Sequence, residues 1–212
     1  MMGAAEKLAE FGVVPVVVLN DVKDAAPLAE ALIEAGLPCA EVTFRTDAAE
    51  ESIRVMTTQF PEMYVGAGTV LTVDQVDRAV GAGAKFIVSP GFDAEVVDYC
   101  LEKGIPVFPG VITPSEAIQA YKRGLRVLKF FPASQFGGVA TIKALASVFP
   151  GVKFMPTGGV SASNLKDFLS CDKIVACGGS WMVKGDLIKA GEFGKIKELA
   201  AEAAALAKEI RG

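Results

Sequence analysis

The chain has 212 residues, of which 51% are hydrophobic and 22% charged, and its formal net charge at pH 7 is −4. This length suits one domain with a large core, and the acidic balance, with no local Lys/Arg cluster, excludes nucleic acid and anionic membranes as general partners. The absence of histidine excludes Ser-His and Cys-His nucleophiles, imidazole acid–base chemistry and zinc sites with histidine ligands.

The N-terminal stretch MMGAAEKLAE carries two glutamates, and the apolar run after it, from Val13 to Leu19, is short and interrupted by Pro15. Neither a signal peptide nor a membrane span has this composition. The four cysteines form no CxxC pair, and three of them fall in apolar or helical contexts that are typical of reduced core residues. We therefore predict a cytoplasmic protein whose cysteines fill the core.

Short β-branched segments alternate with amphipathic segments along the whole chain. The predicted strands are VVPVVVL (13–19), CAEVTF (39–44), YVGAG (64–68), KFIVS (85–89), PVFPG (106–110), RVLKFF (126–131), KFMPT (153–157) and KIVACG (173–178). The predicted helices are 25–35, 48–58, 73–82, 94–103, 114–123, 139–148, 162–169 and 193–211. This alternation predicts a parallel sheet with helices outside it.

Two α/β architectures satisfy this alternation. A doubly wound sheet usually has fewer strands and a glycine-rich phosphate turn after its first strand, whereas the first strand here is followed by LNDVKDAA. We therefore predict a single-domain (β/α)8 barrel, or TIM barrel, over residues 1–212. The last helix is predicted to cover the barrel wall with a stripe formed by Ile196, Leu199, Ala203, Leu206 and Ile210.

Functional residues of such a barrel lie at the carboxyl ends of its strands. Lys129 lies near the end of a predicted strand, whereas Lys85, Lys153 and Lys173 each begin one. Alternation turns Lys129 and Phe131 toward the lumen if Leu128 and Phe130 pack on the helices. An ammonium among phenylalanines loses hydration, which favours the neutral amine that can attack a ketone. A lysine paired with a buried carboxylate, without chemistry, or one that reaches the rim would fit the same pattern.

The second predicted strand carries three polar residues on one face. In AEVTFR, Glu41, Thr43 and Arg45 bring an acid, a hydroxyl and a guanidinium to the barrel mouth. Arg45 can grip a carboxylate with two hydrogen bonds, and Glu41 can carry protons near Lys129. Thr69 can share that carboxylate from GAGTVL, where glycines allow the backbone to approach a ligand closely. The alternative is an ion pair between Glu41 and Arg45, because buried charges seldom lack a partner.

Adjacent glycines end the seventh and eighth predicted strands, in TGGV (157–160) and CGGSW (177–181). Such turns expose backbone amides, and in barrels the loops after these two strands commonly bind phosphate. Tight turns also use Gly-Gly pairs without any ligand. The occurrence of both turns at these two strand ends favours a phosphate site.

The motifs together resemble one known family. VVPVVVL, EVTFRT, VGAGTVLT, FIVSPG, FPGVITPSE, LKFFPA, PTGGVS and GGSWMV span nearly the whole chain. Their combination is similar to the bacterial 2-keto-3-deoxy-6-phosphogluconate (KDPG) aldolases, also called the 2-keto-4-hydroxyglutarate (KHG) aldolase family. The resemblance implies a Schiff-base aldolase of the Entner–Doudoroff pathway that needs no cofactor or metal and assembles as a homotrimer. Its small-molecule partners would be a 2-keto acid phosphate and pyruvate.

The resemblance also implies roles for individual residues at the reacting centre. Lys129 would form the Schiff base, and Glu41 would be the general acid and base. Arg45 and Thr69 would receive the carboxylate of the pyruvyl group.

At the other end of the substrate, the resemblance implies phosphate contacts from Gly158, Gly159 and Ser180, with Thr157 near the sugar hydroxyls. Some members of the family have an arginine at the end of the first strand. This chain has Leu19-Asn20 there instead, so its phosphate contacts must differ at this point.

Three hypotheses for the function are open at this stage. The first is reversible cleavage of KDPG to pyruvate and glyceraldehyde 3-phosphate through Lys129. The second keeps the Schiff base but takes unphosphorylated 4-hydroxy-2-oxoglutarate or the phosphogalactonate epimer. The third is a non-catalytic barrel, or an isomerase, that binds a sugar phosphate without a covalent adduct, because this scaffold hosts many unrelated reactions.

Overall fold

The computed structural model describes residues 3–212, and the first two residues of the N-terminal stretch lie outside this range. The strands within it are β1 Val13–Val17, β2 Cys39–Thr43, β3 Tyr64–Gly68, β4 Ile87–Val88, β5 Val107–Phe108, β6 Gly110–Val111, β7 Val127–Phe130, β8 Lys153–Pro156 and β9 Cys177–Gly179. β4 and β9 are shorter than the predicted segments 85–89 and 173–178, because only part of each segment enters the hydrogen-bonded ladder.

These strands form one closed parallel barrel. β1 pairs with β2 and with β9, and parallel pairing continues from β2 through β3 and β4 to β5. β7 pairs with β6 and β8, and the bridges Phe154–Ile174 and Thr157–Gly178 join β8 to the segment that ends in β9. β5 and β6 are two parts of the fifth barrel strand, interrupted at Pro109, which has no amide hydrogen for the ladder. The predicted (β/α)8 barrel is confirmed.

Helices surround the barrel: α1 Ala4–Phe11, α2 Ala25–Glu34, α3 Ala49–Gln59, α4 Val73–Gly81, α5 Ala94–Glu102, α6 Pro114–Lys122, α7 Gly138–Val148, α8 Leu165–Leu169, α9 Gly185–Lys189 and α10 Phe193–Arg211. The predicted helices are confirmed to within one residue at each end, except that the segment 162–169 becomes helical only at Leu165. Asn164 delays this start, because its side chain accepts a hydrogen bond from the Ser161 amide at 2.9 Å and donates one to the Gly159 carbonyl at 2.8 Å. Within residues 3–212, no helix has the length and apolar character needed to cross a membrane.

Helix α1, which the sequence analysis did not predict, closes the amino-terminal end of the barrel. It directs Leu8 into a small cluster of buried lumen residues, whose other members are Val14, Phe86, Val88, Phe108, Met155, Val175 and Ala176. All of these side chains are apolar and buried, so this half of the lumen is close-packed core. Polar chemistry is thereby confined to the carboxyl-terminal end of the barrel.

The C-terminal helix α10 packs against α2, α8 and α9 and also contacts β1. Its buried residues are Ile196, Ala200, Ala203 and Ala207. All five residues of the predicted stripe face the core: Ile196 and Ala203 are fully buried, and Leu199, Leu206 and Ile210 are partly buried and pack against it. Alanines line the contact because small side chains allow two helix axes to approach closely.

All four cysteines are free and buried, as the sequence predicted. Burial raises the pKa of the Cys100 thiol from 9.0 to about 11 and that of the Cys177 thiol to about 12. Below about pH 9, these thiols are protonated in both the folded and unfolded chains and leave stability unchanged. Above that pH, the unfolded chain loses protons that the folded chain retains, so the free energy of unfolding falls.

We therefore expect the wild-type free energy of unfolding to fall more steeply above about pH 9 than that of Cys100→Ala, by about 1.4 kcal/mol per pH unit. The measurement is urea unfolding at several pH values between about pH 8 and about pH 10.5. Subtracting the two curves removes the contribution of every other titrating group. Parallel curves would contradict a raised pKa for the Cys100 thiol.

Candidate active site

Lys129 lies in β7, and its side chain enters the lumen with 5% of its surface exposed. Its Nζ donates a hydrogen bond to Glu41 Oε1 at 3.2 Å, and the Glu41 side chain is 1% exposed. β2 and β7 are the second and sixth strands of the barrel, so this ion pair spans the lumen. Leu128 and Phe130 pack in the core between barrel and helices, as the predicted alternation requires.

Gly68, the last residue of β3, provides the space that Glu41 occupies. A β-carbon at this position would lie 2.2 Å from Glu41 Oε1, closer than two such atoms can approach. The sequence predicts that the glycines of this segment allow close approach by a ligand. At Gly68 the group that needs the space is instead the Glu41 carboxylate of the adjacent strand β2.

Arg45 and Thr69 meet at the carboxyl ends of β2 and β3. Arg45 Nε donates a hydrogen bond to Thr69 Oγ1 at 3.2 Å. Glu41 pairs with Lys129, so the alternative of an ion pair between Glu41 and Arg45 is wrong. Thr69 has a φ of 55°, in a left-handed region that β-branched residues rarely adopt, and such strain is often found at functional sites.

Thr43, the third polar residue predicted on the inner face of β2, has a structural role. It is fully buried, and its hydroxyl donates a hydrogen bond to the Val17 carbonyl at 2.9 Å. This bond ties β2 to the end of β1. The hydroxyl is therefore satisfied within the fold.

A cavity of about 540 Å³ opens at this end of the barrel. The predicted binding residues in its wall are Arg45, Thr157, Gly158, Gly159 and Ser180. Lys129, Glu41 and Thr69 do not line it directly. Thr69 is linked to the cavity through Arg45, and Lys129 through Phe131, a wall residue whose ring centroid lies 5.2 Å from Lys129 Nζ.

Thr157 lies in the wall of this cavity and has a buried hydroxyl. The residue is 7% exposed, and its hydroxyl has no hydrogen-bond partner among residues 3–212. Gly178 makes room for it, because a β-carbon there would lie 2.4 Å from Thr157 Oγ1. Buried hydroxyls are normally satisfied, so a ligand group in the cavity can supply the missing partner.

The turn after β8 is held in shape by two residues that the sequence analysis did not identify. Gly158 and Gly159 have φ values of 96° and 75°. The Ser134 amide donates to the Gly158 carbonyl at 3.0 Å, and Asn164 Nδ2 donates to the Gly159 carbonyl at 2.8 Å. Ser134 lies far from this turn in sequence, so no local motif could have revealed its contact.

This arrangement places a buried primary amine beside a carboxylate, with a cavity that offers anion-binding groups nearby. An amine can form an imine with the carbonyl group of a substrate, and a carboxylate in contact with it can carry the protons that this reaction moves. A structural ion pair would have the same geometry. Among residues 3–212, no group of three or more His, Cys, Asp or Glu side chains is placed to hold a metal ion.

Comparison with known proteins identifies the family of this chain. The model of the KDPG and KHG aldolase family matches residues 4–199. The 2-dehydro-3-deoxy-phosphogluconate aldolase of Treponema pallidum is 46% identical over 199 residues, which cover 94% of this chain and 95% of that protein.

Two solved structures have the same fold. KDPG aldolase from Legionella pneumophila, with pyruvate captured as a covalent carbinolamine intermediate, has a TM-score of 0.90 at 38% identity and covers 94% of this chain and 97% of its own. The KDPG aldolase of Zymomonas mobilis with 3-phosphoglycerate has a TM-score of 0.88 at 38% identity, with 96% of each chain covered. From its fold, its motifs and these matches, the chain belongs to the KDPG and KHG aldolase family.

Proposed function

We propose that this chain is a class I aldolase that reversibly cleaves KDPG to pyruvate and glyceraldehyde 3-phosphate. The observation that carries the proposal is the buried contact of 3.2 Å between Lys129 Nζ and Glu41 Oε1. This contact joins the nucleophile and the proton carrier that imine chemistry requires. The carbinolamine of the L. pneumophila relative supports covalent chemistry with pyruvate.

In this mechanism, the neutral amine of Lys129 attacks the C2 carbonyl of the substrate and forms a carbinolamine. Loss of water gives an iminium ion. The C4 hydroxyl then loses its proton, the C3–C4 bond breaks, and its electron pair moves into the iminium system. Glyceraldehyde 3-phosphate leaves, and the remaining enamine of pyruvate takes up a proton at C3. Hydrolysis of the resulting iminium releases pyruvate and the free lysine.

Glu41 carries the protons in these steps. Its carboxylate already contacts Lys129 Nζ, so it can take a proton from the attacking amine and return one to the departing hydroxyl. The fully buried position beside Gly68 holds the carboxylate at the reacting atoms. Proton transfer therefore needs no histidine and no cofactor or metal.

The two ends of the substrate are bound by different groups. Arg45, positioned by its hydrogen bond to Thr69, binds the pyruvyl carboxylate. Thr157 donates its unpaired hydroxyl to a sugar hydroxyl, and Gly158, Gly159 and Ser180 bind the phosphate. The Z. mobilis relative with 3-phosphoglycerate supports a phosphorylated ligand.

The alternative substrates are 4-hydroxy-2-oxoglutarate and the phosphogalactonate epimer, with the same Schiff base. Comparing kcat/KM among the three substrates decides between them, since the phosphate contributes only if the glycine turns bind it. Equal values with and without phosphate would rule out our phosphate site. A barrel that only binds a sugar phosphate would cleave none of them.

The direct test is the mass of the intact protein after incubation with pyruvate and borohydride, followed by peptide mapping. We expect a single reduced pyruvyl adduct on Lys129. An unmodified protein, or an adduct on another lysine, would overturn the proposed mechanism.

A further prediction concerns the space beside Glu41. We expect Gly68→Ala to displace the carboxylate and lower kcat for KDPG cleavage by about 10²-fold, since a misplacement of about 1 Å has this effect. Overpacking should also cost about 1–3 kcal/mol of stability, measured by urea unfolding. Gly81→Ala is the matched control, because a β-carbon there meets nothing within 4 Å. Unchanged kcat in Gly68→Ala would show that Glu41 does not need this position.

We also propose that residues 1–212 act as one cytoplasmic domain in the Entner–Doudoroff pathway and assemble as a homotrimer. The homotrimer is what membership of this family implies. Sedimentation equilibrium should give three times the chain mass of 22.1 kDa. A mass of one or two chains would contradict the trimer.

A further inference from the structure

The phosphate end of the cavity lacks a first-strand cation. Leu19 is fully buried in the core, and Asn20, which lines the cavity, is neutral. A phosphate monoester carries a charge of about −1.5 to −2 at neutral pH. Backbone amides and the Ser180 hydroxyl can donate hydrogen bonds to it but cannot neutralise it.

The charged side chains in the cavity wall are Arg45, Lys184 and Asp186. Arg45 is bonded to Thr69, at the end of the cavity that receives the carboxylate. Lys184 follows the second glycine turn in sequence, four residues after Ser180, and lines the same cavity. It is therefore the cation of this cavity that is available to the phosphate.

Two features of Lys184 suit this role. Its ammonium forms no salt bridge with any carboxylate of residues 3–212, whereas Lys23, in a neighbouring cavity, is paired with Asp21 at 2.8 Å. Its backbone is held in place, because the Lys184 carbonyl accepts a hydrogen bond from the Ile188 amide at 3.1 Å. The exposed side chain can thus swing from a fixed backbone onto a ligand.

We propose that Lys184 is the residue that makes this enzyme prefer phosphorylated substrates, by pairing its ammonium with the phosphate, and that Asp186 in the same wall opposes it. This inference rests on the proposed aldolase function. A direct ion pair at the partly exposed rim favours the phosphorylated ligand, while the nearby carboxylate of Asp186 weakens binding by repulsion. Both effects diminish as salt increases.

The test compares wild type, Lys184→Gln, Lys184→Arg and Asp186→Asn on KDPG and on its unphosphorylated counterpart, 2-keto-3-deoxygluconate. We expect Lys184→Gln to lower the ratio of the two kcat/KM values about ten-fold, mainly through KM for KDPG. Lys184→Arg should restore most of the ratio, and Asp186→Asn should raise it. Lys189→Gln is the matched control, because Lys189 lines the neighbouring cavity.

Binding of inorganic phosphate, measured by calorimetry without any substrate, keeps the outcome independent of catalysis. Weaker phosphate binding by Lys184→Gln but not by Lys189→Gln would support the proposal. The proposal would be overturned if Lys184→Gln and Lys189→Gln bound phosphate equally well. It would also be overturned if Lys184→Gln lost kcat/KM by the same factor on KDPG and on 2-keto-3-deoxygluconate. A wild-type protein that binds phosphate but forms no pyruvate adduct would instead refute the proposed function.

Discussion

Replacing Lys129 by methionine is expected to lower kcat/KM for KDPG cleavage by roughly 10⁴-fold or more, as loss of a covalent nucleophile does in other enzymes. Methionine keeps much of the length and apolar surface of the lysine side chain but cannot form an imine. The borohydride-trapped pyruvate adduct should disappear with the activity. Pyruvate release is measured by coupling to lactate dehydrogenase, and the adduct by mass.

Loss of stability must be separated from loss of chemistry in this variant. Removing Lys129 leaves the Glu41 carboxylate buried without its partner, which costs about 3–5 kcal/mol for a buried ion pair. The double variant Lys129→Met/Glu41→Gln removes both charges, so we expect its stability to recover while its activity stays lost. Lys153→Met, at the exposed start of β8, is the control and should keep full activity. Cleavage at near wild-type rate by Lys129→Met would refute the Schiff-base mechanism.

Replacing Glu41 by glutamine is expected to lower kcat by about 10²- to 10⁴-fold, the usual contribution of a general acid and base. Lys129 remains, so the pyruvate adduct should still be trapped with borohydride, although it forms more slowly without the carboxylate. The amide cannot carry protons between C3 and solvent. Exchange of the pyruvate methyl protons with deuterium, followed by NMR, should therefore slow by a similar factor.

The separation between trapping and exchange makes this test specific. Glu95→Gln, in the exposed first turn of α5, is the matched control and should leave both measurements unchanged. If Glu41→Gln exchanged methyl protons at the wild-type rate, Glu41 would have only a structural role as the partner of Lys129. If Glu41→Gln lost both adduct formation and stability, this result would also indicate a purely structural role for Glu41.

The alternation of residues along single segments was enough to predict much of this molecule. The period of two along RVLKFFP turned Lys129 inward and Leu128 outward, and the regular succession of strands and helices predicted the barrel. These features are local, because each depends on the geometry of one strand or one helix. Position at the strand ends selected Lys129, Glu41, Arg45 and Thr69, and the family motifs assigned roles that stay predictions until the variants are measured.

The tertiary structure decided what meets across the barrel. Glu41 could have paired with Arg45 on its own strand, and only barrel closure brings it to Lys129, 88 residues away, with Gly68 leaving the space. The same holds for the Ser134 contact with the glycine turn and for Leu8 in the lumen. These contacts depend on the mutual register of all the strands, and no periodicity within one segment carries that information.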